Sequence, residues 1–321
     1  MSLSASSRRF QVFSWVVLVY TLAVVLWGAF VRATGSGAGC GDHWPACNGE
    51  VIPREPTMQT LIEFTHRVTS GLALVLAVVL CVWGVRAHAK GQPVRRAAVA
   101  SLVFMLTEAL VGAGLVLFQY VADNVSLARA VWMGVHLLNT FLLVGAMALT
   151  CWWAAGGRER LVLRGQGLVG WLLGASVVGL LVLGVSGAIA ALGDTLFPAT
   201  SLAEGFQQDV SPTAHVLLRL RVLHPIIAVA MGALVVVASS VVARLRPSPE
   251  VRRGVWLLGT LYGAQLLVGL VNLALLAPVW MQLVHLLLAD GVWIVLVRLC
   301  AAGLAVDAPR EEAQVQLSPT A

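Results

Sequence analysis

Glu63-Phe64-Thr65-His66-Arg67 stands at the head of the apolar run Val68 to Val85. A run of this kind has the length a helix needs to cross a bilayer, about 20 residues. Three ionisable side chains at its mouth are unusual. On insertion scales each costs roughly 2.5–3.5 kcal/mol near hydrocarbon, so such groups mark function. The pattern recurs. His136 lies in Trp132-Met133-Gly134-Val135-His136-Leu137-Leu138, His224 in Arg221-Val222-Leu223-His224, and His285 in Val284-His285-Leu286-Leu287. One histidine thus stands near the start of every second apolar segment.

The rest of the chain agrees with a membrane reading. Of 321 residues, 59% are hydrophobic and 11% charged, where a soluble domain has about 25% charged. The net charge of +6 reflects basic loops rather than affinity for nucleic acid, for which no motif is present. The first apolar run is too long for a signal-peptide core and lacks a cleavage site, so it reads as a span. Eight spans are expected, at Val12–Val31, Leu61–Val85, Ala97–Phe118, Ala130–Ala154, Leu168–Leu192, Val222–Ala243, Val255–Ala277 and Val279–Val297. They must be helices, because lipid offers backbone polar groups no partner.

Fifteen of the 21 Lys and Arg residues fall on one side of these spans. By the positive-inside rule both termini and the C-terminal tail are then cytoplasmic. The long loops Ala33–Thr60 and Gly193–Arg221 lie outside, and the four histidines occupy the outer part of spans two, four, six and eight. His43, His88 and His215 read as surface residues.

The halves repeat. Glu108-Ala-Leu-Val-Gly112 matches Gln265-Leu-Leu-Val-Gly269 at an offset of 157, His66 matches His224 at 158, and His136 matches His285 at 149. Each half has an even number of spans, so the repeat is parallel. The expected fold is an all-α integral membrane protein of two pseudo-symmetric four-helix bundles, residues 1–155 and 156–321, with sites built from facing helices in each bundle core.

A lone histidine in a membrane helix is ordinarily a hydrogen-bonded interior residue. Four at matched depth in a duplicated fold ask for more. Two imidazoles facing each other across a bundle suit axial ligation of a haem iron, pairing His66 with His136 and His224 with His285. Zinc would want more or softer ligands within a turn. Cys40 and Cys47 share an outer, disulfide-permissive loop. They read either as a structural staple or as a redox-active pair. Cys81, Cys151 and Cys300 read as small packing residues. Glu63 shares a helix face with His66. It is either a carboxylate favoured by the helix dipole or a group that takes protons. Its repeat-mate is Arg221, and a site with only basic groups suits propionates. Glu108 and Asp290 are mid-span acids without an assigned role.

The stretches Gly35-Ser-Gly-Ala-Gly-Cys40, Trp44-Pro45-Ala46-Cys47-Asn48-Gly49, Glu63-Phe-Thr-His66-Arg67 and Ala191-Leu-Gly-Asp-Thr-Leu-Phe-Pro198, with the four helix-borne histidines, resemble the haem A synthase family along all eight spans. The resemblance implies an oxidoreductase that converts the C8 methyl of haem O to a formyl group, giving haem A. It implies substrate haem between His66 and His136, haem B between His224 and His285, a Cys40–Cys47 disulfide and a catalytic Glu63. Arg67, Arg221, Glu108 and Gln265 become supporting or propionate-binding residues. Haem O synthase and cytochrome oxidase assembly factors become candidate partners, a bacterial inner membrane the expected location, and homo-oligomerisation stays open. One departure is that some bacterial members carry a second cysteine pair in the third outer loop, whereas Gly193–Ala214 has no cysteine.

Two other classes remain in view. A bis-histidine di-haem electron carrier would need equivalent bundles, and the Glu63/Arg221 difference opposes that. A solute or ion transporter would use Glu108 and Asp290 as coupling acids.

Overall fold

The computed structural model describes residues 5–157 and 160–306. The predicted C-terminal tail and Arg158 and Arg310 of the charge asymmetry lie outside them. Nine α-helices are present among the described residues: α1 (Ala5–Ala33), α2 (Met58–Ala87), α3 (Pro93–Leu117), α4 (Leu127–Ala154), α5 (Gly167–Leu196), α6 (Leu202–Val210), α7 (Val216–Leu245), α8 (Pro249–Ala274) and α9 (Val279–Leu304). All but α6 are long and apolar enough to cross a membrane. The chain is a multi-pass membrane protein.

The helix starts follow local chemistry. Thr57, Ser126, Ser201 and Ser248 cap α2, α4, α6 and α8 by accepting a backbone N–H three residues on, each satisfying a donor the helix leaves open. Pro93 and Pro249 occupy the first turns of α3 and α8, where a missing N–H costs nothing. His215 caps α7 through Nδ1, 3.3 Å from the Leu217 N–H, and His88 Nδ1 pairs with the Gly84 carbonyl at 3.1 Å. Both are partly buried structural residues, which corrects their reading as surface histidines; His43 is exposed.

The spans pack as two rings. In the first, α1 touches α2, α2 touches α3, α3 touches α4, and α4 closes on α1. In the second, α5, α7, α8 and α9 follow the same cyclic order. The seam between them consists of α1 and α4 against α5 and α9. Helix α4 is the central element: 61% of its most apolar window is buried, against 28% or less in every other span. Glycines make the seam tight. A Cβ at Gly184 would lie 2.4 Å from Phe141, and one at Gly145 3.2 Å from the Trp293 indole nitrogen. Phe141 and Trp293 stack with centroids 5.4 Å apart, and the Trp293 N–H donates to the Phe141 carbonyl at 2.6 Å. At one end of the molecule a two-residue antiparallel pair joins Arg160–Leu161 (β1) to Ala305–Val306 (β2). The α4–α5 connection and the end of α9 therefore share that face. The opposite end carries the loop between α1 and α2.

Candidate functional site

All four histidines lie near the starts of their helices, at the end that carries the α1–α2 loop. His66 is the ninth residue of α2, His136 the tenth of α4, His224 the ninth of α7 and His285 the seventh of α9. Within each ring the two histidine-bearing helices sit diagonally. The His224 and His285 ring centroids are 6.3 Å apart with planes at 87°, and His66 and His136 are within electrostatic reach of one another. Each histidine faces a glycine of a neighbouring helix. A Cβ would come within 2.9 Å of His66 at Gly28, 3.0 Å of His224 at Gly187, 3.0 Å of His285 at Gly269 and 3.8 Å of His136 at Gly112. The missing side chains are what let the imidazoles turn into the rings.

The ring nitrogens are sparsely satisfied for buried groups, which ordinarily find a partner. Among the described residues, Nδ1 of His66, His136 and His285 is buried with no hydrogen-bond partner. His224 Nδ1 lies 3.0 Å from the Ser186 hydroxyl. His136 Nδ1 has Glu108 Oε1 3.5 Å away, and His285 Nε2 has the Gln265 amide nitrogen 3.3 Å away.

Glu63 is buried at 4% exposure and fully engaged. Its Oε2 accepts the Cys40 backbone N–H at 2.8 Å. Its Oε1 accepts from Arg67 Nε at 3.1 Å and from Arg67 Nη2. Arg67 Nη1 donates onward to the carbonyls of His43 and Ala46, both at 2.6 Å, and the Thr60 hydroxyl donates to the Gly39 carbonyl at 2.8 Å. Thr60, Glu63 and Arg67 form one face of α2, and that face holds the loop. Within the loop Cys40 and Cys47 are bonded as a disulfide and are almost wholly buried.

The other ring differs at the same place. Arg221, the mate of Glu63, donates to Asp194 at 2.9 Å and to Asp209 at 2.6 Å. The second site is therefore not lined by basic groups alone, as its sequence implied: α5 and α6 bring two carboxylates to the arginine. Pro225 follows His224 inside α7, where the first ring has Arg67. Asp290 is fully buried on α9, and among the described residues neither carboxylate oxygen has a hydrogen-bond partner. Arg32, which sequence reasoning passed over, ties the rings together. Its guanidinium donates to the Ala191 carbonyl, the Thr195 hydroxyl and Gln282 Oε1 at 2.7–2.8 Å. Of the four glycines, Gly112 and Gly269 were read only as part of the repeat, and Gly28 and Gly187 were passed over, although Gly28-Ala29 and Gly187-Ala188 repeat one residue off the His66–His224 offset.

Together the fold and the site define a class: a polytopic membrane protein of two four-helix rings, each with a diagonal pair of histidines near one mouth. The family model for the cytochrome oxidase assembly protein COX15-CtaA matches residues 11–297, and the chain belongs to that family. Thermus thermophilus has a protein named protoheme IX farnesyltransferase that is 58% identical over 275 residues, which is 86% of this chain and 45% of that protein. A heme A synthase of Exiguobacterium sibiricum is 35% identical over 133 residues, 41% of this chain and 43% of that one. One of Alkalihalophilus pseudofirmus is 37% identical over 111 residues, 35% of this chain and 37% of that one. The matches thus span less than half the length of these curated relatives.

Proposed function

We propose that the protein is a haem A synthase that oxidises the C8 methyl of haem O to a formyl group. The observation that carries this reading is the repeated histidine–glycine pairing, one diagonal pair of imidazoles in each ring. The donor set fits haem. A 6.3 Å separation of the His224 and His285 rings leaves room for one iron, with metal–nitrogen bonds of about 2 Å on either side. The glycines opposite the rings leave space that a Cβ would fill, and among the described residues Nδ1 of His66, His136 and His285 has no hydrogen-bond partner.

In this reading His66 and His136 hold haem O as substrate, and His224 and His285 hold a resident haem B. That resident group supplies one-electron redox chemistry when bound. The chain's own residues bind, orient and manage protons. Conversion of a methyl to a formyl group consumes one water and releases four protons and four electrons, the electrons passing to an external electron acceptor. A proton acceptor near the substrate is therefore needed, and Glu63, one turn before His66, takes that role. Its salt bridge to Arg67 holds the carboxylate in place, and general-base help of this kind is typically worth about 10²–10⁴-fold. The disulfide loop, held by Thr60, Glu63 and Arg67, sits at the histidine end of the first ring. We place that mouth outside a bacterial inner membrane, with the Arg-rich loops in the cytoplasm. We also propose that the unmatched part of the Thermus relative carries the farnesyl transfer its name describes. Haem O synthase is then the partner that supplies this protein's substrate.

Extraction of haems from cells that make haem O, with and without this protein, tests the reading. The protein should convert haem O to haem A. Unchanged haem O, in cells whose purified protein carries two low-spin haems, would instead support an electron carrier, the reading favoured by the similarity of the two histidine cradles.

A further inference from the structure

The two rings differ in the group behind one histidine, and the difference is chemical. In the first ring Glu108, on α3, lies one turn before Gly112, which His136 faces. Its Oε1 accepts the Thr140 hydroxyl at 2.5 Å and is 3.5 Å from His136 Nδ1. Its Oε2 accepts the Asn139 amide at 2.6 Å. Asn139 is itself fixed, donating to the Phe104 carbonyl at 2.9 Å and accepting the Thr107 hydroxyl at 2.6 Å. The carboxylate is thus pinned from α4 as an acceptor, with His136 Nδ1 beside it. In the second ring the counterpart is Gln265. It presents an amide nitrogen, a donor, to His285 Nε2 at 3.3 Å, and among the described residues neither its own Oε1 nor His285 Nδ1 has a partner.

We infer that Glu108 is a positioning residue that accepts the Nδ1 proton of His136, fixes the ring with Nε2 toward the iron, and makes His136 the more strongly donating ligand of the two α4 and α9 histidines. The inference rests on the haem reading above. A carboxylate behind a ligating imidazole orients the ring and raises its basicity, and loss of such a partner typically costs about 10–100-fold in affinity or activity. An amide nitrogen pointed at the ring cannot accept that proton. A more basic axial ligand stabilises the ferric state, so the carboxylate sets the first-ring haem at a lower reduction potential than an amide would. Thr140 and Asn139 act through Glu108 by holding its two oxygens.

The test is a spectroelectrochemical titration of the full-length protein loaded with iron protoporphyrin IX, as wild type, Glu108→Gln and Gln265→Glu. Wild type should show two low-spin haems, of which one disappears in His136→Ala and the other in His285→Ala. Fewer than two in wild type would sink the four-histidine reading itself, before any variant is compared. Given two, Glu108→Gln should raise the potential of the His136-dependent haem by on the order of 59 mV, a tenfold change for one electron, and leave the other unmoved. Gln265→Glu would put an acceptor at His285 Nε2 and leave the unpartnered Nδ1 for the iron, and should lower the potential of the His285-dependent haem. A purely structural role for Glu108 would alter haem content without moving either potential, and unmoved potentials in both variants overturn the inference. If Glu108→Gln holds no haem in the first ring, Gln265→Glu decides alone.

Discussion

Each histidine owes its orientation to a glycine on the next helix, and the four contacts are not equally tight. A methyl group at Gly28, Gly187 or Gly269 would press on an imidazole at 2.9–3.0 Å, whereas one at Gly112 would meet His136 at 3.8 Å, ordinary contact distance. Alanine inside a helix is otherwise favoured over glycine by roughly 0.5–1 kcal/mol. Alanine at Gly187 or Gly269 should therefore reduce low-spin haem while leaving the haem-free protein as stable as before, and alanine at Gly112 should leave haem content unchanged. Absorption spectra alongside thermal melts in detergent separate the two effects, and equal haem content in all the variants would show that the cradle is not set by these glycines. Glu63 makes a second residue-scale case. Its carboxylate is shared between Arg67 and the Cys40 N–H. Glu63→Ala strands a largely buried guanidinium and should cost about 3–5 kcal/mol. Glu63→Gln keeps an acceptor for the loop, should cost less, and should still make little haem A. Wild-type haem A yield from Glu63→Gln would make the carboxylate a loop anchor alone.

At the scale of elements, the α1–α2 loop shows how one helix face can organise a segment without secondary structure. The disulfide is only one of its ties, beside those from Thr60, Glu63 and Arg67. A Cys40→Ser, Cys47→Ser double variant should lose about 2–3 kcal/mol, the range for a short closed loop, and keep haem in both rings. Gly39→Ala should do more damage, because its Cβ would lie 2.5 Å from the backbone of Gln59, which cannot move without uncapping α2. Melting of both variants in detergent checks this order; a larger loss from the cysteine pair would make the disulfide the main tie. The spans themselves were legible in the sequence because hydropathy over about 20 residues is a strong signal. Their starts were less so. Helices α2, α7 and α8 begin at Met58, Val216 and Pro249, three to six residues before the expected points, because polar and charged residues within their first two turns dilute hydropathy. The end of α8 was overrun: Leu276 and Ala277 are apolar but have φ of 61° and 53°, which closes the helix. Helix α6 was read as loop. It is too short to show as a span, yet its capping signal, Ser201 with Glu204 three residues on, is visible in the sequence.

For the whole molecule, the internal repeat could be read from residue offsets, and the eight spans pack as two rings of four helices. How the rings join could not be read. Whether an apolar residue faces lipid or another helix leaves no trace in hydropathy, so the burial of α4 and the stack of Phe141 on Trp293 had no sequence signal. Arg32 did have one, a cation at the end of an apolar span, but its partners are 159, 163 and 250 residues away. Its three charged hydrogen bonds reach α5 and α9 from α1, across the seam. Hydrogen bonds to charged groups contribute about 1.5–3 kcal/mol each, so Arg32→Leu removes the main polar tie between the rings at the histidine end. The apolar stack at Phe141 and Trp293 remains. The rings should then stay associated but loosen at one end, where all four histidines lie. In a thermal melt of the loaded protein in detergent, Arg32→Leu should release both haems at a lower temperature and together. Trp293→Phe, which loses one indole hydrogen bond deeper in the seam, should shift release less. Release from one ring alone in Arg32→Leu would show that the rings hold their haems independently, and that the seam joins them without coupling their stability.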